Sequence, residues 1–189
     1  MKNTMQTYLS LLRAVNVLGK NLVKMPELIR ILEKSGFNNV RTYIQSGNII
    51  FSSGEKSCDI LAGIIRETIT KHWGFTVQVL VLTPHEMSEI VSNNPFAARK
   101  GIDHSRMHVT ILDRVPDRDR TEKLLAYDYP PDEIIISGRA AYLHCPEGYG
   151  RTKYNTTFIE KKLELQATSR NWNSCLRLLE LCQDLQGED

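Results

Sequence analysis

The sequence has few of the features that place a chain in a specialised class of protein. It has no long apolar run that could span a bilayer and no signal-peptide cleavage site near its start. We therefore expect no membrane partner and, by default, a cytoplasmic location. Its 24 basic and 22 acidic residues leave a net charge of +2. That is too mild by itself to indicate nucleic-acid binding, which needs a basic patch or stripe.

Cysteine is scarce, and the four cysteines lack any pair with metal-binding or redox spacing. Cys175 and Cys182 are spaced two helical turns apart on an apolar face. This pattern is typical of buried thiols in a reducing compartment. The other two cysteines are Cys58 and Cys145.

Catalytic patterns are also missing. His104 and His108 have the spacing of a helical metal pair, but they straddle a predicted junction between a loop and a strand. Ser46 lies at a tight turn without the G-x-S-x-G pattern of a nucleophile elbow. We therefore predict no metal site. The sequence names neither a catalytic residue nor a cofactor, and whether the protein is an enzyme stays open.

The hydrophobic patterning predicts an α+β fold built from two tandem ferredoxin-like (βαββαβ) halves with a C-terminal helix. In the first half, strands are predicted over 7–13, 40–45, 48–52 and 76–82, with helices over 26–35 and 57–73. In the second, strands are predicted over 107–112, 133–137, 140–145 and 166–168, with helices over 117–127 and 156–163. A last helix is predicted over 170–184.

This pattern divides the chain of 189 residues into three parts. Residues 1–91 form the first half with a connecting helix, which begins at Thr83-Pro84 with Glu86 placed for a capping box. Residues 92–106 have many turn formers and no clear period, so we predict a linker there. Residues 107–189 form the second half with the C-terminal helix. Both predicted hairpins turn on a Ser-Gly pair.

Polar residues are predicted to converge at one end of the first sheet. The first strand runs antiparallel to the third, so Arg13 should lie near Asn48. The loop over 14–24 leaves from the same corner and brings Asn16 and Lys20 to it. We call this set the first rim, and we predict that its members bind a ligand: Arg13, Asn16, Lys20, Gln45 and Asn48.

The stretch AVNVLGKN, residues 14–21, invites comparison with the phosphate loop G-x-x-x-x-G-K-[ST]. Ala14 replaces the first glycine, Asn21 replaces the hydroxyl that would hold magnesium, and Pro26 delays the helix. A nucleotide triphosphatase is therefore disfavoured. A simpler contact between Lys20 and an anion survives this objection.

A second rim is predicted where the loop PEGYGRTK, residues 146–153, meets the stretch ATSRNWNS, residues 167–174. The loop can equally be a solvated connector. Ser169 is a plausible N-cap, and free amides in the first turn of a helix favour an anion. Trp172 continues an apolar stripe and should pack, while its polar neighbours should face outward and bind. The predicted ligand-binding residues of this rim are Arg151, Lys153, Arg170, Asn171 and Asn173.

The stretches LLRAVNVLGKN, RTYIQSGNIIF, GRTK and TSRNWNS resemble the LLRGINVGGKN, RTYIQSGNVVF, GRSK and TTRNWNT of domain-of-unknown-function family 1697. The resemblance covers nearly the whole chain. It implies a bacterial protein with tandem ferredoxin-like halves, and it implies no activity, since none is established for the family. The sequence departs from the family at Ala14 and Leu18, where members usually have glycine. These changes stiffen the loop and weaken close backbone approach to a phosphate.

Two hypotheses about function follow. In the first, the two rims bind an anionic, phosphate-bearing ligand, either a nucleotide or a nucleic acid. In the second, the protein is a non-catalytic structural or protein-interaction module whose Arg and Asn motifs lock the two halves together. The second hypothesis predicts arginines that are buried and paired with the protein's own carboxylates: Arg13, Arg41, Arg151 and Arg170.

Overall fold

The computed structural model describes residues 5–188 and has an α+β fold with two four-stranded antiparallel sheets. The α+β prediction is confirmed at this level. The chain divides into two compact units. One comprises the residues up to Met87 together with those from Leu178 onward, and the other comprises Ser88–Arg177.

The first unit has the element order β-α-β-β-α-β, and its strands lie in the order β2-β3-β1-β4. The middle strands β1 and β3 are buried along nearly their whole length. The elements are β1 (Gln6–Leu12), α1 (Met25–Lys34), β2 (Asn38–Tyr43), β3 (Asn48–Ser53), α2 (Cys58–Trp73) and β4 (Val79–Leu82).

Local signals set the ends of these helices. Pro26 lies in the first turn of α1, where its missing N–H costs no hydrogen bond. The Ser57 side chain caps α2 by accepting a hydrogen bond from Ile60 N, and Gly74 ends the helix at a φ of 76°. Both helices bury apolar residues such as Leu28 and Ile65 against the sheet.

The predicted capping box is present at the start of α3 (Pro84–Ser92). Thr83 N donates to Glu86 Oε2 over 2.8 Å, and Glu86 N donates to Thr83 Oγ1 over 3.2 Å. Two otherwise unpaired amides are satisfied reciprocally, which explains why α3 begins there.

The second unit repeats the order β-α-β-β-α-β, with its strands in the order β6-β7-β5-β8. Short 3-10 helices occur at His104–Arg106 and Tyr149–Arg151. The main elements are β5 (Met107–Leu112), α4 (Arg118–Leu125), β6 (Glu133–Ser137), β7 (Ala140–His144), α5 (Thr156–Leu163) and β8 (Ala167–Asn171). The chain then continues as α6 (Trp172–Glu188).

The stretch 92–106, predicted as a linker, contributes to the folded structure of the second unit. Phe96 is fully buried. The buried Asn94 accepts a hydrogen bond from Phe96 N over 3.0 Å, and the Arg99 guanidinium lies 4.8 Å from the centre of the Phe96 ring. An irregular backbone therefore folds around one aromatic anchor.

Candidate functional site

Asn16 is the centre of the first rim. Its side-chain amide donates to Val23 O over 2.9 Å and to Gln45 O over 2.8 Å, and its Oδ1 accepts from Val23 N over 2.8 Å. The residue has a φ of 54°, a left-handed conformation that asparagine tolerates better than most residues. Asn16 therefore ties the loop after β1 both to itself and to the turn between β2 and β3.

Gly47 brings that turn into direct contact with the end of β1. Its carbonyl accepts a hydrogen bond from Leu12 N over 2.8 Å. A Cβ at this position would lie 2.5 Å from Val15 Cγ2 and 2.6 Å from Leu12 Cβ, and the φ of Gly47 is 74°. Glycine is required here both for space and for conformation.

The structure places the other predicted members of the first rim at the same end of the sheet. Asn48 is fully buried and donates to Tyr43 O over 3.0 Å and to Ser46 Oγ over 2.9 Å. Arg13 is half-buried, and its Nη1 donates to Gln78 Oε1 over 3.0 Å. Asn16 and Asn48 therefore hold the backbone in place, which is a structural role.

Lys20 and Gln45 have exposed side chains on this scaffold. Lys20 closes a tight turn in which its N–H donates to Val17 O over 2.9 Å. The backbone N–H of Asn16 likewise donates to Asn21 O over 3.1 Å. These two amides are used within the loop, so they are not among the groups that the loop could offer to a ligand.

The only charged side chains in the chain segments that contain the first rim are positive, up to Glu27 and Glu55 at their ends. The segments over 5–26 and 37–54, which contain all the rim residues, have no Asp or Glu. They contain Arg13, Lys20, Lys24 and Arg41. The side chains of Lys20 and Lys24 make no ion pair or hydrogen bond within the described part of the chain.

Arg170, in the second rim, is buried, so the prediction that it faces outward is wrong. It belongs to strand β8 and not to the first turn of α6. Ala167 packs in the core with α5, and side chains alternate along a strand, so Arg170 points to the opposite face. Its Nη1 donates to Thr168 Oγ1 over 2.8 Å and to Ser169 O over 2.9 Å. Burial lowers the pKa of the guanidinium to about 10.

Asn171 is the residue that caps α6, which corrects the prediction that Ser169 does so. Its Oδ1 accepts a hydrogen bond from Ser174 N over 2.7 Å. The pairing of β8 with β5 continues to Asn171, opposite His108, and so keeps Ser169 within the strand. Trp172 is buried as predicted, and Asn173 is exposed.

Arg151 and Lys153 are exposed and line a pocket of about 210 Å³. Lys153 Nζ lies 4.8 Å from the centre of the Tyr129 ring. Three carboxylates share the lining with these two cations, so the pocket has no excess of positive charge. The carboxylates are Asp128, Asp132 and Glu147.

A cluster of hydroxyl groups in the second unit was not foreseen from the sequence. Ser169 Oγ lies 2.8 Å from Tyr149 Oη, 2.7 Å from Thr156 Oγ1 and 2.6 Å from Thr110 Oγ1. Tyr149 Oη is also 2.9 Å from Thr156 Oγ1. Each of the four hydroxyl groups has one proton, so all four contacts can be hydrogen bonds within the cluster.

His108 stacks on Tyr149 beside this cluster, with ring centres 4.5 Å apart. Burial lowers the pKa of His108 below its ordinary value, and an interaction with the Arg106 backbone partly opposes that shift. Such clusters could be found from the sequence only by knowing that β5 and β8 pair.

A pocket of about 560 Å³ lies elsewhere, between α1 and α2, and none of the ten predicted residues lines it. Within residues 5–188, no group of three or more His, Cys, Asp or Glu side chains is arranged to hold a metal ion. No helix in the same range combines the length and apolar character needed to cross a bilayer.

Residues 5–142 match the model of a protein family of unknown function, DUF1697. The chain belongs to this family. Conserved bacterial protein SP0830 from Streptococcus pneumoniae has a similar solved structure. It is 23% identical in sequence, with a TM-score of 0.76, over 95% of this chain and 99% of its own. At this identity the similarity shows the fold alone. No curated protein matches the chain.

The DUF1697 match separates the two rims. It includes every residue of the first rim, from Arg13 to Asn48, and ends at residue 142. All five residues predicted for the second rim lie beyond that point, from Arg151 to Asn173. The matched part of the chain therefore carries the first rim.

Proposed function

We propose that this DUF1697 protein binds an anionic, phosphate-bearing ligand, a nucleotide or a nucleic acid, at the first rim. One observation carries the proposal: the rim holds Arg13 and Lys20, with Lys24 on the same loop, on a hydrogen-bonded scaffold, and segments 5–26 and 37–54 contain no carboxylate. A fixed scaffold lowers the entropy cost of placing cations around an anion. Arginine and lysine are also the side chains that most often contact phosphate.

The two rims differ in the charge that a ligand would meet. Lys20 and Lys24 are exposed; Lys24 attracts one carboxylate, that of Glu27, whose pKa it helps to lower, while Lys20 forms no ion pair among the described residues. Arg151 and Lys153 instead share their pocket with three carboxylates. An anion at that pocket would face repulsion as well as attraction, so we assign the ligand to the first rim.

A non-catalytic structural role is the second candidate, and the asparagines favour it in the form of holding each unit's own backbone rather than locking the two halves together. The side chains of Asn16, Asn48 and Asn171 all bond to the backbone of their own unit. In this interpretation these residues maintain the fold and bind nothing. The strand orders also support our interpretation of each unit as a ferredoxin-like half.

Thermal unfolding against a panel of anions tests the proposal. The panel contains phosphate, mononucleotides, dinucleotides, sugar phosphates and short single-stranded RNA and DNA. A ligand at 100 times its Kd stabilises by about 2.7 kcal/mol, which should raise Tm by roughly 5–10 °C. Lys20→Ala should remove most of this shift without changing Tm in buffer, because the side chain is exposed and unpaired.

The matched control is Lys100→Ala, which removes an exposed loop lysine from the second unit. It should leave the ligand-induced shift intact. A panel without any shift, or a shift that survives in Lys20→Ala, contradicts the assignment to the first rim and favours the structural role.

A further inference from the structure

Leu18 lies on the loop between the rim residues Asn16 and Lys20, and its side chain is the most unusual one there. It is 95% exposed and lies at the tip of the loop with a φ of 49°. Leu18 and Gly19 are the two central residues of the turn that the Lys20–Val17 hydrogen bond closes, and both have positive φ. Turns of this kind favour Gly, Asn or Asp, because a left-handed backbone brings Cβ of other residues too close to a carbonyl.

Ile44 repeats this combination on the neighbouring turn. It is 50% exposed with a φ of 50°, an outlier for a β-branched residue. The bond from Asn16 Nδ2 to Gln45 O ties the two turns together, so Ile44 is held close to the loop that carries Leu18. Val17 and Leu22 add two more apolar side chains, exposed by 50% and 63%.

The rim therefore combines apolar side chains in unfavourable positions with cations. Neither the exposure nor the backbone conformation is explained by packing, since Leu18 contacts almost nothing of its own protein. Backbone outliers that folding does not require are a reason to look for a function. A ligand that complements this surface is an anion that also presents apolar groups.

We propose that the ligand is a nucleic acid and that Leu18 inserts between neighbouring bases while the surrounding cations contact phosphates. The inference rests on the proposed function. Nucleic acid presents regularly spaced phosphates beside apolar base faces, and apolar wedges such as leucine are used by proteins that unstack a base step. The cations supply salt-dependent affinity, and the wedge supplies the preference for steps that unstack easily.

A mononucleotide fits this surface less well. It offers a single base, so there is no base step into which Leu18 could insert, and its phosphates lie at one point rather than along a backbone. An acidic protein would also complement the charge. That alternative predicts no binding to nucleic acid and is one outcome of the test.

The test uses a 20-nucleotide DNA strand that carries 2-aminopurine, both single-stranded and in a duplex. Fluorescence anisotropy reports affinity, and 2-aminopurine fluorescence reports unstacking. The full chain is compared with Leu18→Gly, Lys20→Ala and the control Leu125→Ala, which changes an exposed leucine of the second unit.

Binding by the unaltered protein should raise the 2-aminopurine fluorescence. Leu18→Gly should bind at least tenfold more weakly and lose the fluorescence rise, while its Tm stays equal or increases because the backbone strain is removed. Lys20→Ala should keep the rise at saturation. It should also reduce the slope of log K against log salt by about 0.9 for duplex or 0.7 for single strand. Leu125→Ala should behave like the unaltered protein.

DNA binding without a fluorescence change, or a change that Leu18→Gly retains, overturns the wedge while leaving the proposed function in place. If phosphate or mononucleotides stabilise the protein but DNA does not bind, the wedge is again overturned and the proposed function again remains. Failure of every anion, nucleic acid included, overturns both proposals.

Discussion

Asn16 gives a direct test of how the first rim is held together. Asn16→Gly removes three hydrogen bonds and keeps a residue that accepts the left-handed backbone. Each bond contributes about 0.5–1.5 kcal/mol net, so the variant should lose about 1.5–4.5 kcal/mol of unfolding free energy. Because the rim is partly exposed, we expect a value in the lower half of this range.

Asn21→Gly is the matched control for this change. Asn21 also has a left-handed backbone, with a φ of 49°, and its side chain makes one bond, to Ala14 O over 3.1 Å. Both variants gain the same flexibility in the unfolded chain, so that contribution cancels in the comparison. The two variants should therefore differ by two hydrogen bonds, about 1–3 kcal/mol.

Urea unfolding followed by the fluorescence of Trp73, measured in a Trp172→Phe background so that Trp73 is the only tryptophan, measures both losses. The wild-type protein and both variants are compared at one temperature with a shared slope of free energy against urea. Equal stabilities for the two variants, within 0.5 kcal/mol, would show that Asn16 is not the tie between the loop and the hairpin turn. Asn16→Gly should also weaken anion binding, since the loop is released.

Four further predictions concern single residues. Gly47→Ala should lose more than 2 kcal/mol of stability by urea unfolding, since the added Cβ has no space. Gly138→Ala, at a φ of 56° in open space, should lose about 1 kcal/mol. Arg170→Ala should lose about 2–5 kcal/mol from cavity formation and unsatisfied acceptors; a loss below 0.5 kcal/mol would mean that the guanidinium is solvated. The hydrogen bond with His72 lowers the pKa of Glu27 below its ordinary 4.5. The stability that wild type gains over Glu27→Gln should therefore be full above pH 4.5 and decline at lower pH, as acid titrations can check.

The repeated order of strands and helices was predictable because local signals mark it. Thr83 and Glu86 stand three residues apart before an apolar run, and the structure forms the capping box between them. Gly74 ends α2 as expected, with a φ of 76°. In each case the residues that decide the boundary lie within one helical turn of it.

The start of α6 could not be predicted in this way. Ser169 and Asn171 are equally good caps by residue type, and the choice between them depends on pairing with β5, which lies about 60 residues earlier in the chain. The same pairing buries Arg170, although arginine is usually exposed. Non-local contacts decided both outcomes.

The candidate site was predictable in position and less so in roles. Antiparallel pairing brings Arg13 and Asn48 to one end of the sheet, and the structure places them there. Composition gave no sign that Asn48 would be fully buried. It also could not show that Leu18 and Ile44 adopt left-handed conformations, because residue preferences alone favour glycine or asparagine at such positions.

The division of the chain has a consequence for biosynthesis. The first unit contains the residues up to Met87 and also the residues from Leu178 onward, among them the buried Leu178, Cys182 and Leu185. During translation the ribosome makes all of Ser88–Arg177 before it makes the segment that completes this unit. The inserted unit can therefore fold while its predecessor is still incomplete, and a nascent chain stalled before Leu178 would expose apolar surface to chaperones.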